Sequence, residues 1–197
     1  MKAYRVNEIF CSLQGEGRHT GRAAVFVRFA GCNLRCPFCD TDFDSYHEMS
    51  ADDILQAIAG YPPRFVVLTG GEPTLQVDEA FIDLLHSHGY EVAMESNGTR
   101  PAPVNLDWLT VSPKVRGERS EVMGKRMPDE IKVVFQEDTD PELFLSPCHP
   151  MPLLYLQPCD TGSQERNVHI LQACIDYILQ HPRWRLSLQT HKLIHIK

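Results

Sequence analysis

Three cysteines stand within eight residues of "GCNLRCPFCD" (31–40): Cys32, Cys36 and Cys39, spaced C-x3-C-x2-C. Close thiolates bind zinc or an iron–sulfur cluster. A 4Fe–4S cube takes four cysteine ligands when the protein alone holds it. Three ligands leave one iron open to a group from outside the chain. A structural zinc site would need a fourth ligand, and His47 would complete a Cys3His set. Zinc motifs pair their cysteines across a longer stretch, so the tight triplet suits a cluster better than a zinc ion. The other four of the seven cysteines, Cys11, Cys148, Cys159 and Cys174, are scattered. A disulfide framework calls for an even count in a short secreted chain. Cys174 lies in an apolar helical stretch and reads as a small buried residue.

These residues need elements to position them. "AAVFVRFAG", "RFVVLTGG", "EVAMESNG", "LDWLTVSPK", "EIKVVFQ", "PLLYLQP" and "WRLSLQTHK" read as strands. "SADDILQAIAGY" reads as a helix with Ser50 as N-cap and Asp53 three residues on, a near capping box. "VDEAFIDLLHSHG" is amphipathic and closes at Gly89, and "SQERNVHILQACIDYILQHP" is a long helix ending before Pro182. The alternation predicts an α/β fold with a mainly parallel sheet. At roughly 30 residues per βα unit the chain accommodates about six, fewer than the eight of a full barrel. The cysteine loop, "TGGEP", "ESNGT", "SPK" and "QPCD" all fall at the carboxyl ends of strands, the rim on which α/β folds build sites.

The 197 residues suit a single domain, 1–197, carrying the cluster loop at 31–41. A net charge of −7 argues against a nucleic-acid surface. No apolar run approaches the ~18–20 residues of a membrane span, and "MKAYRVNEIF" has no signal-peptide core. The cytoplasm is the expected location.

The triplet with Phe38 before its last cysteine resembles the signature of radical S-adenosylmethionine (SAM) enzymes, and "TGGEP" resembles their second motif. That resemblance implies a partial (β/α)6-type barrel whose open iron is chelated by SAM. Gly70 and Gly71 have no Cβ, which permits close backbone approach to the ligand. Glu72 offers a carboxylate to the SAM ammonium. "SLQGEG", "CDT", "LTGGEPTLQ", "ESNGT", "VSPK", "YLQP" and "RLSLQTHK" further resemble blocks of the 7-carboxy-7-deazaguanine synthase family. The implied reaction turns 6-carboxy-5,6,7,8-tetrahydropterin into 7-carboxy-7-deazaguanine, a queuosine precursor. It proceeds by reductive cleavage of SAM, hydrogen abstraction at C6, ring contraction and loss of ammonia, and SAM is regenerated.

The resemblance assigns the cluster to Cys32, Cys36 and Cys39. It assigns SAM to Phe38, Cys39, Asp40, Gly71, Glu72, Ser96, Ser112, Pro113, Lys114, Gln157, Pro158, Cys159 and Asp160. Leu13, Gln14, Gly15, Glu16, Arg28, Thr69 and His191 would meet the pterin, and Thr41 would help hold Mg2+. Arg28 suits the substrate carboxylate as a bidentate fork, although a strand-end salt bridge would also explain it. Local sequence alone would make Thr41 a turn cap. The family further implies a homodimer and an electron donor such as flavodoxin or ferredoxin. A small radical SAM activase that acts on a partner protein shares the triplet and is the alternative. A non-catalytic zinc module is the alternative outside enzymes.

Overall fold

The computed structural model describes residues 2–39, 45–114, 126–145 and 151–197. In chain order the elements are β1 (Tyr4–Leu13), β2 (Ala23–Phe29), β3 (His47–Met49), α1 (Ala51–Ala59), β4 (Phe65–Gly70), α2 (Glu79–Ser87) and β5 (Glu91–Ser96). There follow β6 (Trp108–Val111), β7 (Glu130–Phe135), β8 (Leu153–Pro158), α3 (Gln164–Gln180), β9 (Trp184–Leu186) and α4 (Thr190–Leu193). The strands make one sheet in the order β3-β1-β2-β4-β5-β6-β7-β8-β9. From β2 to β9 every pairing is parallel. β1 runs antiparallel to β2 and β3.

Local chemistry explains the helix limits. Ser50 and Asp53 form a reciprocal capping box on α1. Asp78 caps α2 and Ser163 caps α3. Gly89 follows α2 with φ +76°, a conformation that glycine adopts at no steric cost.

Strand alternation gives the sheet two faces. On one, Val66, Leu68, Val92 and Met94 pack with Ile54 and Ile58 of α1 and Phe81, Ile82 and Leu85 of α2. On that same face Ile131, Val133 and Phe135 pack with Ile170 and Cys174 of α3. The other face is apolar where the strands begin, with Ala24, Phe26, Phe65, Val67 and Ala93. Toward the strand ends it turns polar. Arg28 pairs in register with Thr69, Glu95 with Thr110, and Thr110 with Glu130. Apolar floor and polar rim thus come from the same strands, a few residues apart.

Three expectations need correction. "YRVNEIFCSL", absent from the expected strands, is the ten-residue β1, and "SLQGEG" leaves its end. "WRLSLQTHK" is a strand only over Trp184–Leu186, and its end turns into α4. The βα count also overstates the helices among the described residues. There, 97–107 cross from β5 to β6 without one, and the described part of the β7–β8 connection holds a 3-10 turn, Pro141–Phe144.

Candidate active site

A cleft of about 820 Å³ opens at the carboxyl ends of the parallel strands. The cysteine loop leaves β2 on one side of it. The loop is fastened by backbone: Gly71 N–H donates to Phe29 O at 2.9 Å, and Glu72 N–H to Gly31 O at 2.9 Å. Asn97 Nδ2 donates to Asn33 Oδ1 at 3.0 Å, and Asn33 Nδ2 to Thr99 Oγ1 at 2.8 Å.

All three cysteine side chains line the cleft. Burial pushes the Cys36 thiol up, and the neighbouring Cys39 and Cys32 push the same way against the pull of Lys114. The thiols are close enough to feel one another. Yet among the described residues no three His, Cys, Asp or Glu side chains converge on a single ion. Leu34 N–H and Asn97 Nδ2 point at Cys32 Sγ at 3.4 and 3.9 Å, the kind of donor that stabilises a cluster thiolate. The donor set fits a three-cysteine cluster. His47, the fourth ligand of the zinc alternative, lies exposed on β3 opposite Val6.

Most of the expected SAM residues line the same cleft: Phe38, Gly71, Ser96, Ser112, Lys114, Gln157, Pro158, Cys159 and Asp160. Lys114 Nζ donates to Ser112 Oγ at 2.8 Å and lies 5.6 Å from the Phe38 ring centre. Burial, then the charge of Lys132, pulls its ammonium pKa down. Two residues fall elsewhere. Pro113 is buried and does not line the cleft. Glu72 is 0% exposed, so its expected contact with the SAM ammonium is not available. Its Oε1 instead accepts from Thr74 N, Thr74 Oγ1 and Ser96 Oγ at 3.1, 2.6 and 2.8 Å, and its Oε2 from Asn97 N at 2.7 Å. It ties the β4 and β5 loops together from beneath. Asp40 and Thr41 lie outside the described residues.

Leu13, Gln14, Gly15, Glu16, Arg28, Thr69 and His191 also line the cleft. Both readings of Arg28 have support, because its Nε pairs with Glu8 Oε1 at 2.9 Å while its side chain faces the cleft. α4 brings the tail in. Thr190 N–H donates to Gly15 O at 3.0 Å, Gln189 Nε2 to Glu16 Oε1 at 3.1 Å, and Lys192 Nζ to Asp160 Oδ2 at 2.9 Å. His191 lies so close that a Cβ on Gly15 would stand 2.1 Å from its Nδ1. Lys197 also lines the cleft and pairs with Glu8.

Sequence reading missed the charged centre of the cleft floor. Lys132, with only 4% of its side chain exposed, pairs with Glu16 and, at 3.3 Å, with Glu95 Oε2. Gln14 Nε2 donates to Glu95 Oε1 at 2.9 Å. Burial pulls the Lys132 pKa down, but Glu16 and Glu95 outweigh it, and the ammonium is held firmly protonated. Burial likewise works against Glu16 ionising, yet Lys132 overrides it and brings Glu16 down to about 2. The available signal was a lysine at an inward position of the apolar run "EIKVVF".

Glu130, one inward position before Lys132, accepts from Arg18 N–H at 2.9 Å. Burial raises its carboxyl to about 7. The folded state therefore holds this proton where the unfolded chain has lost it. The associated stability is full below the unfolded value near 4.5 and is lost as pH rises through about 7. Glu130→Gln keeps the acceptor and removes the charge. It is expected to stabilise the protein relative to wild type at pH 8 by about 2–3 kcal/mol more than at pH 4.5. Urea unfolding of both proteins at the two pH values measures this, and an equal difference at both would refute it.

Comparison with known proteins gives concordant matches. Residues 26–116 match the sequence profile of the radical SAM superfamily. The chain is 46% identical over 193 residues to the 7-carboxy-7-deazaguanine synthase of Bacteroides thetaiotaomicron, covering 98% of each chain. It is 46% identical over 217 aligned positions to that of Bordetella pertussis, covering 98% of this chain and 99% of the relative. A crystal structure of QueE from Escherichia coli superposes with a TM-score of 0.78 at 30% identity, covering 96% of this chain and 95% of that one.

Proposed function

This chain belongs to the 7-carboxy-7-deazaguanine synthase family of radical SAM enzymes, and we propose that its cleft contracts 6-carboxy-5,6,7,8-tetrahydropterin to 7-carboxy-7-deazaguanine with loss of ammonia. The product feeds queuosine biosynthesis. One observation carries the reading: the cysteine loop and the "SLQGEG" segment line one cleft, so cluster and substrate residues share it.

Cys32, Cys36 and Cys39 would hold the 4Fe–4S cluster. Gly71, Ser96, Ser112, Lys114, Phe38 and the Gln157–Asp160 segment, which line the cleft beside the cysteine loop, would hold SAM. When bound, cluster and SAM supply the one-electron chemistry that opens the pterin C6–H bond. The chain's own residues bind, orient and shield. Arg28 meets the substrate carboxylate, and Glu8 beside it keeps the guanidinium aimed along the strand end. Gln14 and Glu16 read the guanine-like edge, where a carboxylate accepts from amide and amine N–H groups. Thr69 and His191 close the pterin's sides. Held ionised by Lys132, Glu16 stays an acceptor throughout the neutral range.

Mg2+ belongs to the same reading. Thr41 and substrate oxygens would hold it, with water filling the remaining positions as this ion tolerates. The enzyme works as a cytoplasmic homodimer supplied with electrons by a flavodoxin or ferredoxin. No helix among the described residues is long and apolar enough to cross a membrane.

The test is an anaerobic assay of cluster-reconstituted protein with SAM, dithionite, Mg2+ and carboxytetrahydropterin. The expected result is 7-carboxy-7-deazaguanine, formed faster as Mg2+ is raised from a chelated baseline. An intact cluster that cleaves SAM but yields no deazaguanine would reject the substrate. A yield indifferent to Mg2+ would reject the metal alone.

A further inference from the structure

Lys132 has no role in the assignments above beyond its effect on Glu16, yet it is the most deeply placed charge of the cleft. A buried lysine is costly unless it is paired, and an apolar residue of like volume often serves stability as well or better. The inner face of β7 could have continued the apolar floor. It instead directs an ammonium between two carboxylates from distant parts of the chain, Glu16 beyond β1 and Glu95 near the end of β5. Both carboxylates line the cleft. Each keeps a second restraint: Gln14 Nε2 on Glu95, and Gln157 Nε2 and Gln189 Nε2 on Glu16 at 3.3 and 3.1 Å.

We infer that Lys132 is a positioning residue for substrate recognition, holding Glu16 and Glu95 together as two ionised acceptors for the N–H-rich edge of the pterin. The inference rests on the pterin reading and adds to it. Two carboxylates that lose the cation between them repel, and that repulsion favours a proton on one of them, which turns an acceptor into a donor. A donor there would face the substrate's own N–H groups. Lys132 thus sets the hydrogen-bond polarity of the floor. The other charged groups facing this cluster are Lys114 from the loop after β6, Glu130 on β7 and His191 on α4. Lys114 Nζ is tied to Ser112. Glu130 accepts from Arg18 N–H and does not line the cleft.

The test compares Lys132→Met with wild type in the reconstituted holoenzyme. Three quantities are read: SAM affinity, pterin KM and kcat, and the pH profile of kcat/KM. The expected result is a pterin KM raised by about 50-fold or more with SAM affinity within about threefold. The acidic limb of the profile moves up by about one pH unit or more. Lys132→Arg restores the cation and is expected to return the acidic limb toward its original place. If Lys132→Met does not fold, Lys132→Gln takes its place with the same expectations, since it removes the charge and keeps a donor. An unmoved acidic limb in a folded variant would overturn the assignment, as would parallel losses of SAM and pterin binding. Wild-type protein that binds SAM but no pterin would overturn the substrate reading itself, and this assignment with it.

Discussion

Gly71→Ala is expected to lower turnover by at least about 100-fold while leaving the sheet folded. The added Cβ would lie 2.0 Å from Gly31 O and 2.6 Å from the Gly31 carbonyl carbon. Those are backbone atoms at the start of the cysteine loop, so no rotamer change relieves the contact. The loop must move away from β4, and it takes with it the hydrogen bonds from Gly71 N–H to Phe29 O and Glu72 N–H to Gly31 O. Cys32 follows Gly31 directly, so the displacement lands on a cluster ligand. An error of about 1 Å at a reacting centre is enough for the stated loss. Gly60→Ala is the control, since its nearest neighbour would be 3.6 Å away in an ordinary helical conformation. Iron content, SAM binding and turnover of the two variants decide the matter. A Gly71→Ala enzyme with a full cluster and near-wild-type rate would show that the two loops need not touch.

Glu72→Ala should instead be a stability mutation. Four donors converge on this carboxylate, and with the side chain gone Thr74, Ser96 and Asn97 keep polar groups that neither protein nor solvent satisfies. Unsatisfied buried donors and the cavity left by the side chain together cost about 3–5 kcal/mol, equivalent to a fall of roughly 6–20 °C in Tm for a chain of this size. Glu72→Gln is expected to recover only part of that. An amide that leaves its oxygen to Thr74 and Ser96 turns its NH2 toward Asn97 N–H, donor against donor. Thermal unfolding of the apoprotein measures the effect without any cofactor present. A Tm within about 2 °C of wild type, coupled with weakened SAM binding, would return Glu72 to the role of SAM ligand.

These two neighbours show how far the sequence could be read. The motif containing Gly71 and Glu72 was visible, and so was its place at a strand end. What each residue does there was not visible in the same way. A glycine's role follows from what would collide with it, and that collision involves Gly31, forty residues earlier in the chain. A carboxylate reads as a ligand until its partners are seen, and those of Glu72 include Ser96 and Asn97 on the next strand and loop. The capped helices α1, α2 and α3 were legible because caps and amphipathic periods are local. β1 was missed although "YRVNEIFCSL" is a long strand, because its partners β2 and β3 are separated from it by loops with no hairpin signature. Lys132 and Glu95 were hidden by their surroundings. Each sits in an apolar strand whose alternate residues face the helices, so the pattern announced a core and said little of the other face.

The tail's contacts bear on how the protein is made. The cysteine triplet is complete by residue 39, and Phe29, Gly71, Glu72, Asn97 and Thr99 already fasten the start of its loop. The walls of the cleft close much later. Glu16 meets Lys132, Gln157 and Gln189 across 116, 141 and 173 residues, and Ser12 meets Lys197 across 185. Contacts of such span form slowly, and a chain synthesised from its N-terminus completes them last. The nascent protein therefore presents its three thiols before the far wall of the cleft, built on Glu16, Lys132, Gln157 and Gln189, has closed. Docking of α4 completes the wall formed by Gly15 and Glu16 and leaves Cys39 exposed.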